Sequence, residues 1–486
     1  MATRDVRHTL PKTGGGSSPR SETGRTRARK GSTDRYRPLP TGTHGLDPEL
    51  VKRDQRSRLQ KAMVELIAAK GYPAVRIVDL AKLAHVSQPT FYSLYTDKED
   101  LFLSAYDEVA QRTAKTVIDA YESDGSADER LVVAMRAFAG LAAQEPETTS
   151  LLVLGAFGAG GRALERRRLA IEALERSIYA RRDGDARAQP TDLTIKFILG
   201  GIREVTAARL REGRAGELPE IADQLAAWAA CYPRRLPPGL EAPPATRGES
   251  EGTGGPQASE RARRAEGRLP SGRSDLPRQF IVKSQRERIV DATAAIVAER
   301  GLAALTIPEI ARRANVSNQT FYDIYSSKHE AFLGAQKVGM HEALRITVEA
   351  YEAQGEDWPR AIDAGVRALL EYLASEPAHA HLTLVDTFAA CPDAIEIRNA
   401  GMSGFASYLG PGYALGGASG KVPAIAAEAV AGGIWQVLHH YIENDSLGGL
   451  TGTGPQLTYF ALTPFLGPAQ AADVARQSCA TGTDSA

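Results

Sequence analysis

Cysteine is scarce: three in 486 residues, Cys231, Cys391 and Cys479, each far from the others. That spacing excludes a disulfide framework and a clustered zinc site, and it fits a reducing cytoplasm. No apolar run approaches the roughly 20 residues that span a bilayer. Stretches such as 151–161 stop well short, and the basic, polar N-terminus has no signal-peptide core. Net charge is also missing, because 59 Lys and Arg balance 59 Asp and Glu. On its face that balance argues against a nucleic-acid partner. A Gly-rich phosphate loop, a metal-spaced His/Cys set and a nucleophile motif are all absent, so no enzyme, cofactor or metal is expected. What is present, 43% hydrophobic and 24% charged residues, is ordinary for a globular protein.

Two stretches have too little to bury. Residues 1–40 carry ten Lys or Arg against Asp5, Glu22 and Asp34, among Gly, Ser, Thr and Pro, and residues 1–49 are expected to be a disordered basic tail. Residues 234–276 hold six Pro, seven Gly and four Leu, without Val, Ile, Phe or Met, which describes a linker. A second disordered tail is expected over 469–486.

The sequences on either side of the linker repeat one another. Residues 84–98 and 314–328 agree at eight of fifteen positions at a constant offset of 230. The register continues: Gly71 matches Gly301, Phe102-Leu103 matches Phe332-Leu333, and Tyr121-Glu122 matches Tyr351-Glu352. With one or two inserted residues, Leu164-Glu165 matches Ile395-Glu396, and Gly200-Gly201-Ile202 matches Gly432-Gly433-Ile434. The chain is therefore a tandem duplication of a unit of about 190 residues.

Within a unit, Leu59, Met63, Leu66 and Ile67 recur at helical spacing and Gly71 follows as a stop; Ile289, Ala292, Ile296 and Val297 do the same before Gly301. A short second helix spans 77–84 and 307–314, with Thr306 a good N-cap in the second unit and Arg76 a weaker start in the first. The turn that follows needs a residue at positive φ, a conformation His85 and Asn315 visit more readily than most. Val86 and Val316 then plug the angle between helices. Ser87 and Ser317 are N-caps for a third helix, and a fourth opens at Asp97-Lys98-Glu99-Asp100 and at Ser327-Lys328-His329-Glu330, the second a capping box.

Helix, tight turn and a second helix whose first turn presents polar side chains is the description of a helix-turn-helix reader of DNA. Gln88, Asn318 and Gln319 carry amides suited to adenine, and Thr90 and Thr320 carry methyls suited to thymine. Tyr92 and Tyr322 hydroxyls and the Lys98 and Lys328 ammoniums are placed to hold phosphates. Phe91 and Phe321 face inward.

The stretch Ala-x-Val-Ser-x-x-Thr-Phe-Tyr with Lys98 or Lys328 opening the next helix resembles the TetR family of bacterial transcriptional regulators. The resemblance covers about 50–106 and 280–336 and departs at His85 and Asn315 (for glycine), Arg76 (for a hydroxyl residue) and Pro89. It implies an all-α fold: DNA-binding domains at 50–106 and 277–336, each followed by a helical ligand-binding and dimerisation domain, 107–233 and 337–468. It implies DNA contacts from Arg76, Ser87, Gln88, Pro89, Thr90, Tyr92, Tyr95 and Lys98, and from Thr306, Ser317, Asn318, Gln319, Thr320, Tyr322, Tyr325 and Lys328. The implied partners are a double-stranded DNA operator and a small-molecule effector, in a cytoplasmic protein bound to the nucleoid when on DNA.

In the C-terminal halves the repeated Gly pairs fall inside apparent helices, where Gly costs about 1 kcal/mol against Ala. Close helix packing, within a unit or across a dimer face, would explain them. Trp358, His381, Asp386, Trp435 and His439 are candidates to line a pocket in the second unit, with His379, His440 and Tyr441 beside them. His439 and His440 point about 100° apart on a helix, poor geometry for a metal. Relatives of single-unit length act as dimers, so one chain is expected to form an intramolecular pseudo-dimer, with a further homodimer as the alternative. Gln88-Pro89 differs from Asn318-Gln319, which predicts two unlike half-sites. A ligand-binding or interaction protein on the same scaffold, with one or both readers degenerate, is the other reading.

Overall fold

The computed structural model describes residues 36, 47–182, 192–233, 236–240, 277–387, 392–415, 422–444 and 446–482. Every regular element among them is a helix. The first unit runs α1 (Pro48–Lys70), α2 (Ile77–Leu83), α3 (Gln88–Leu94), α4 (Lys98–Tyr121), α5 (Ala127–Gln144), α6 (Pro146–Val153), α7 (Gly161–Arg182), α8 (Asp192–Arg211) and α9 (Leu218–Ala230). The second runs α10 (Arg278–Arg300), α11 (Ile307–Arg313), α12 (Asn318–Ile324), α13 (Lys328–Glu352), α14 (Trp358–Ser375), α15 (Pro377–His381), α16 (Pro392–Ser407), α17 (Ala426–Glu443), α18 (Gly454–Leu466) and α19 (Pro468–Gly482). A π-helical turn, Leu382–Asp386, continues α15.

Each unit opens with a small three-helix head. Leu59, Met63, Leu80, Phe91, Leu101 and Phe102 bury together in the first, and Ile289, Ile296, Val297, Ile310, Phe321 and Phe332 in the second. The starts of the short helices are fixed by side-chain caps: Ser87 Oγ accepts from Thr90 N at 3.1 Å and Ser317 Oγ from Thr320 N at 3.0 Å. Such a cap is worth about 1 kcal/mol. Two expected caps differ. Thr306 makes no side-chain bond at the start of α11, which is held instead by Ile310 N donating to its carbonyl. Ser327 accepts from Glu330 N, but the Glu330 carboxylate reaches back to Ser326 N and Oγ rather than to Ser327, so the box closes one residue early.

Where low hydrophobicity had implied disorder, residues in three places bury side chains in the fold. Tyr36 is buried and its hydroxyl donates to Glu65 Oε2 at 2.8 Å, although the rest of 1–46 lies outside the described residues. Leu240 is fully buried and Leu236 packs beside it on the core shared by the units, inside the span assigned to the linker; 241–276 is outside the described residues. Residues 469–482 continue α19, not a tail, because Ala471, Ala472 and Ala475 bury on one face. The small alanines gave too weak an apolar stripe to be read as a helix.

The units join along α8 and α17, which cross at the paired glycines. A Cβ on Gly200 would meet the Gln436 side chain and, at 3.0 Å, Gly432 O; one on Gly432 would meet the Glu204 side chain and, at 3.1 Å, Gly200 O. A Cβ on Gly201 would meet Trp228 and, at 2.5 Å, Ala429 O; one on Gly433 would lie 2.5 Å from the Phe197 ring and 2.8 Å from Phe197 O. These contacts exchange when 200 is swapped for 432, 201 for 433 and 197 for 429. The chain is thus a pseudo-two-fold intramolecular dimer, and the glycines serve the face between units. Around the crossing, Phe197, Trp228 and Tyr232 of the first unit form one core with Phe460 of the second, with Phe197 stacked on Phe460 at 4.7 Å.

Candidate nucleic-acid interface

The turn after α2 and α11 is the local device on which the heads depend. His85 (φ 52°) and Asn315 (φ 51°) are the non-glycine residues at positive φ among the described residues, as the sequence predicts. Val86 N and Val316 N then return to Ala81 O and Ala311 O at 2.9 Å, and Val86 is buried in the angle. A left-handed residue with a side chain is costly. An arginine from the first helix offsets that cost. Arg58 Nη1 donates to Ala84 O and, at 3.1 Å, to His85 O. Arg288 Nη1 donates to Ala314 O at 2.9 Å and Asn315 O at 3.0 Å. Arg58 and Arg288 stand 230 apart, so the repeat itself carried the signal that composition and periodicity did not.

Past the turn, the first residues of α3 and α12 face solvent. Ser87, Gln88, Pro89, Ser317, Asn318 and Gln319 are exposed. Thr90 and Thr320 are half-buried, their Oγ1 atoms 2.8 and 2.9 Å from the capping serine hydroxyls. Tyr92 and Tyr322 are 57% and 55% exposed, each set edge-on to the buried Phe91 or Phe321 ring. Gln319 Nε2 donates to Asp323 Oδ1 at 3.0 Å. Arg76 is exposed and bonded to Asp79 through both Nε and Nη2 at 3.1 Å; Thr306 takes its place in the second head, also exposed.

Four expected contacts face elsewhere. Tyr95 and Tyr325 end their helices with buried rings packed on Phe91 and Phe321, since the C-cap position turns the side chain under the helix. Lys98 Nζ donates to Tyr72 O and Val75 O at 3.1 Å and lies 4.1 Å from the Tyr72 ring centre; burial holds its pKa below the usual lysine value. Lys328 Nζ donates to Leu305 O at 2.8 Å. At the first turn of a helix these ammoniums reach backbone carbonyls just ahead of the second helix, so they tie the fourth helix of each unit to the start of its second.

Residues 60–105 and again 289–334 match the family described as bacterial regulatory proteins, tetR family. The two matches fall on the two heads just described. The chain is accordingly a DNA-binding transcriptional regulator carrying two tetR helix-turn-helix domains. No curated protein matches the chain. Among solved structures it is similar to the fatty acid degradation regulator FadR from Bacillus halodurans (16% identity, 36% of this chain and 94% of that one, TM-score 0.33). It is also similar to the transcriptional regulator FadR from Bacillus subtilis, solved in complex with stearoyl-CoA (17%, 35% and 96%, 0.32). A third is a TetR family transcription regulator from Marinobacter aquaeolei VT8 (20%, 37% and 97%, 0.29).

The second unit holds a partly open cavity of about 100 Å³ between α13, α14, the π-helical turn, α16, α17 and α18. Met340, Leu369, Phe405, Trp435 and Leu457 are among its walls, and among the described residues no Asp, Glu, Lys, Arg or His lines it. Of the pocket candidates only Trp435 is there. Trp358 donates its Nε1 to Tyr408 O at 2.9 Å and packs on Phe465. His381 Nδ1 lies 2.7 Å from Asp386 Oδ2, and the pair stays outside the cavity. His439 is one residue past Leu438, which turns it to a separate polar depression at the seam with Arg167, Lys196, Gln436 and Glu443. Burial, then the nearby Arg167 and Arg203, hold its pKa well below the ordinary histidine value. Neighbouring His379 binds Asp291 Oδ1 on α10 at 3.2 Å, and His440 bonds Asn444.

The seam carries buried charge that the sequence did not reveal. Arg398 of α16, 1% exposed, donates through Nη1 to Glu204 Oε1 of α8 at 2.7 Å, with its guanidinium 4.5 Å from the Trp435 ring. Burial opposes ionisation of Glu204, but Arg398, Arg211 and Arg203 together hold its carboxyl at about 2. The equivalent pair differs at one member: Arg167 matches Arg398, but Gln436 stands in the place of Glu204.

Proposed function

We propose that this chain is a repressor that reads two unlike DNA half-sites and is released by a small-molecule effector bound in its second unit. The observation that carries the reading is a pair of exposed helix starts with different chemistry, Ser87-Gln88-Pro89-Thr90 and Ser317-Asn318-Gln319-Thr320, related by one internal pseudo-two-fold. In the first head, Gln88 and the Thr90 methyl meet base edges, Pro89 gives an apolar contact, and Ser87, Tyr92 and Arg76 hold phosphates. In the second, Asn318, Gln319 and Thr320 read bases, Gln319 leaving Asp323 to do so, while Thr306, Ser317 and Tyr322 hold phosphates. Lys98, Lys328, Tyr95 and Tyr325 position the heads and touch no DNA. Release begins at the cavity, where Thr383 and Leu384 line one wall; about one helical turn away, on the same α15 and π-helical segment, His379 holds Asp291 of the second head.

Selection of bound duplexes from random DNA with the full chain tests this. Enrichment of two dissimilar half-sites about 34–36 Å apart is expected. Enrichment of a perfect palindrome rejects the asymmetry, and enrichment of nothing at low and moderate salt rejects DNA reading by these heads.

A further inference from the structure

We infer that the seam is keyed: the first unit accepts a second unit against its α8 face and rejects another first unit, and the second unit rejects a copy of itself. The partner that the α8 face fits is therefore an α17 face of this chain, its own or that of another copy. Under the pseudo-two-fold, each position of α8 plays the part of the position 232 later in α17, 200 with 432 and 201 with 433. Every contact across the crossing thus has a mate, and at three places the two are unlike.

At one end of the crossing, Arg209 Nη1 donates to both carboxylate oxygens of Glu428 at 3.0 Å. At the other end the same two positions hold Tyr441 and Lys196, and Lys196 turns to Glu175 of its own unit at 2.8 Å. Beside the glycines, the Phe197 ring fills the space over Gly433, 2.5 Å from where a Cβ would lie. The mate of Phe197 is Ala429, and the space over Gly201 is filled instead by Trp228 of its own unit, 2.3 Å from the Cβ position. Farther out, Arg398 holds Glu204, whereas Arg167 shares a polar depression with Gln436.

Pairing like with like turns these contacts against the seam. Two first units would bring Arg209 to Lys196 at both ends, like charges where an ion pair now stands. They would also drive a Phe197 ring at the space that Trp228 fills over each Gly201. Arg167 would gain Glu204 as a partner, but the colliding rings are fully buried and have no room to turn. Two second units would set Ala429 over each Gly433, leaving the room of a phenylalanine ring empty twice and depriving Phe460 of the Phe197 ring stacked on it. They would also put Arg398, buried at the seam, against Gln436 in place of Glu204. Selectivity of this kind needs the wrong pair penalised as well as the right one favoured, and the seam does both. Any assembly formed through it, within one chain or between two that exchange units, carries one reader of each kind.

The test cuts the folded full chain at a sequence-specific protease site inserted within 241–276, unfolds it in urea, dilutes it to refold, and weighs the products by native mass spectrometry. Complexes of one first-unit and one second-unit piece are expected, with like pairs roughly a hundredfold rarer. In the uncut chain, Arg209→Glu should lower the urea midpoint by about 0.5 M or more, and adding Glu428→Arg should restore it. Like pairs in the statistical proportion, pieces that refold separately, an unchanged midpoint in Arg209→Glu, or no recovery in the double variant would each overturn the keyed seam. Should the cut pieces fail to refold, the uncut variants decide; should Arg209→Glu fail to fold, the pairing of the parent pieces and the midpoint of the double variant decide. DNA and effector are absent from both measurements, so these failures leave base reading by the heads and the effector site standing.

Discussion

Gly201→Ala and Gly433→Ala are expected to lower the unfolding free energy by about 3 kcal/mol or more each, read as a shift of the urea midpoint. Ordinarily a helical Gly→Ala change gains about 1 kcal/mol from propensity. Here the added methyl points at backbone. On Gly201 it would lie 2.5 Å from Ala429 O, and on Gly433 2.8 Å from Phe197 O, so relief requires α8 and α17 to move apart. That separation would open the stacked Phe197 and Phe460 rings and the core around them. Gly140→Ala, on α5, is the control, because nothing lies within 4 Å of its added Cβ; it should be neutral or stabilising. If all three variants behave alike, the crossing is not what joins the units.

Glu204→Gln is expected to cost about 3–5 kcal/mol, since it leaves the Arg398 guanidinium, 1% exposed, without its carboxylate. The pH dependence follows from the sign of the shift. The Glu204 carboxyl titrates at about 2 in the fold and near 4.3 in an unfolded chain. Its contribution is present above the unfolded value and is lost as pH falls toward the folded one. Stability of the parent should therefore exceed that of Glu204→Gln at neutral pH, and the difference should shrink between about pH 4.3 and 2. Denaturant titrations of both proteins across that window would reveal it. A constant difference would mean that the pair is not ionised as described.

The repeat, the heads and the special turn were legible because each is written in local chemistry. His85 and Asn315 match glycine-like positions, Ser87 and Ser317 sit one residue before a helix, and Gly200-Gly201 and Gly432-Gly433 are placed where only close approach justifies them. The cavity was not legible. Leu369, Thr383 and Leu457 have the spacing of any core residue, and what separates a cavity wall from a core is the distance to the opposite wall. Polar candidates misled for the same reason: His381 and Trp358 found partners nearby, Asp386 and the Tyr408 carbonyl, and were removed from any pocket. Lys98 and Lys328 looked like phosphate ligands because sequence gives a position on a helix but not the backbone carbonyls within reach. Charge balance misled most, since it averages exposed readers with a seam that buries Arg398 and Glu204 together.

An asymmetric seam and unlike readers on one chain lead to a single expectation about assembly. The mass of the protein–DNA complex, by sedimentation on a duplex carrying the selected site at protein concentrations near the dissociation constant, tests it most directly. One chain per duplex, with both half-sites required for retention, is the result expected of an intramolecular dimer. Two chains per duplex, or full retention on one half-site, would contradict it.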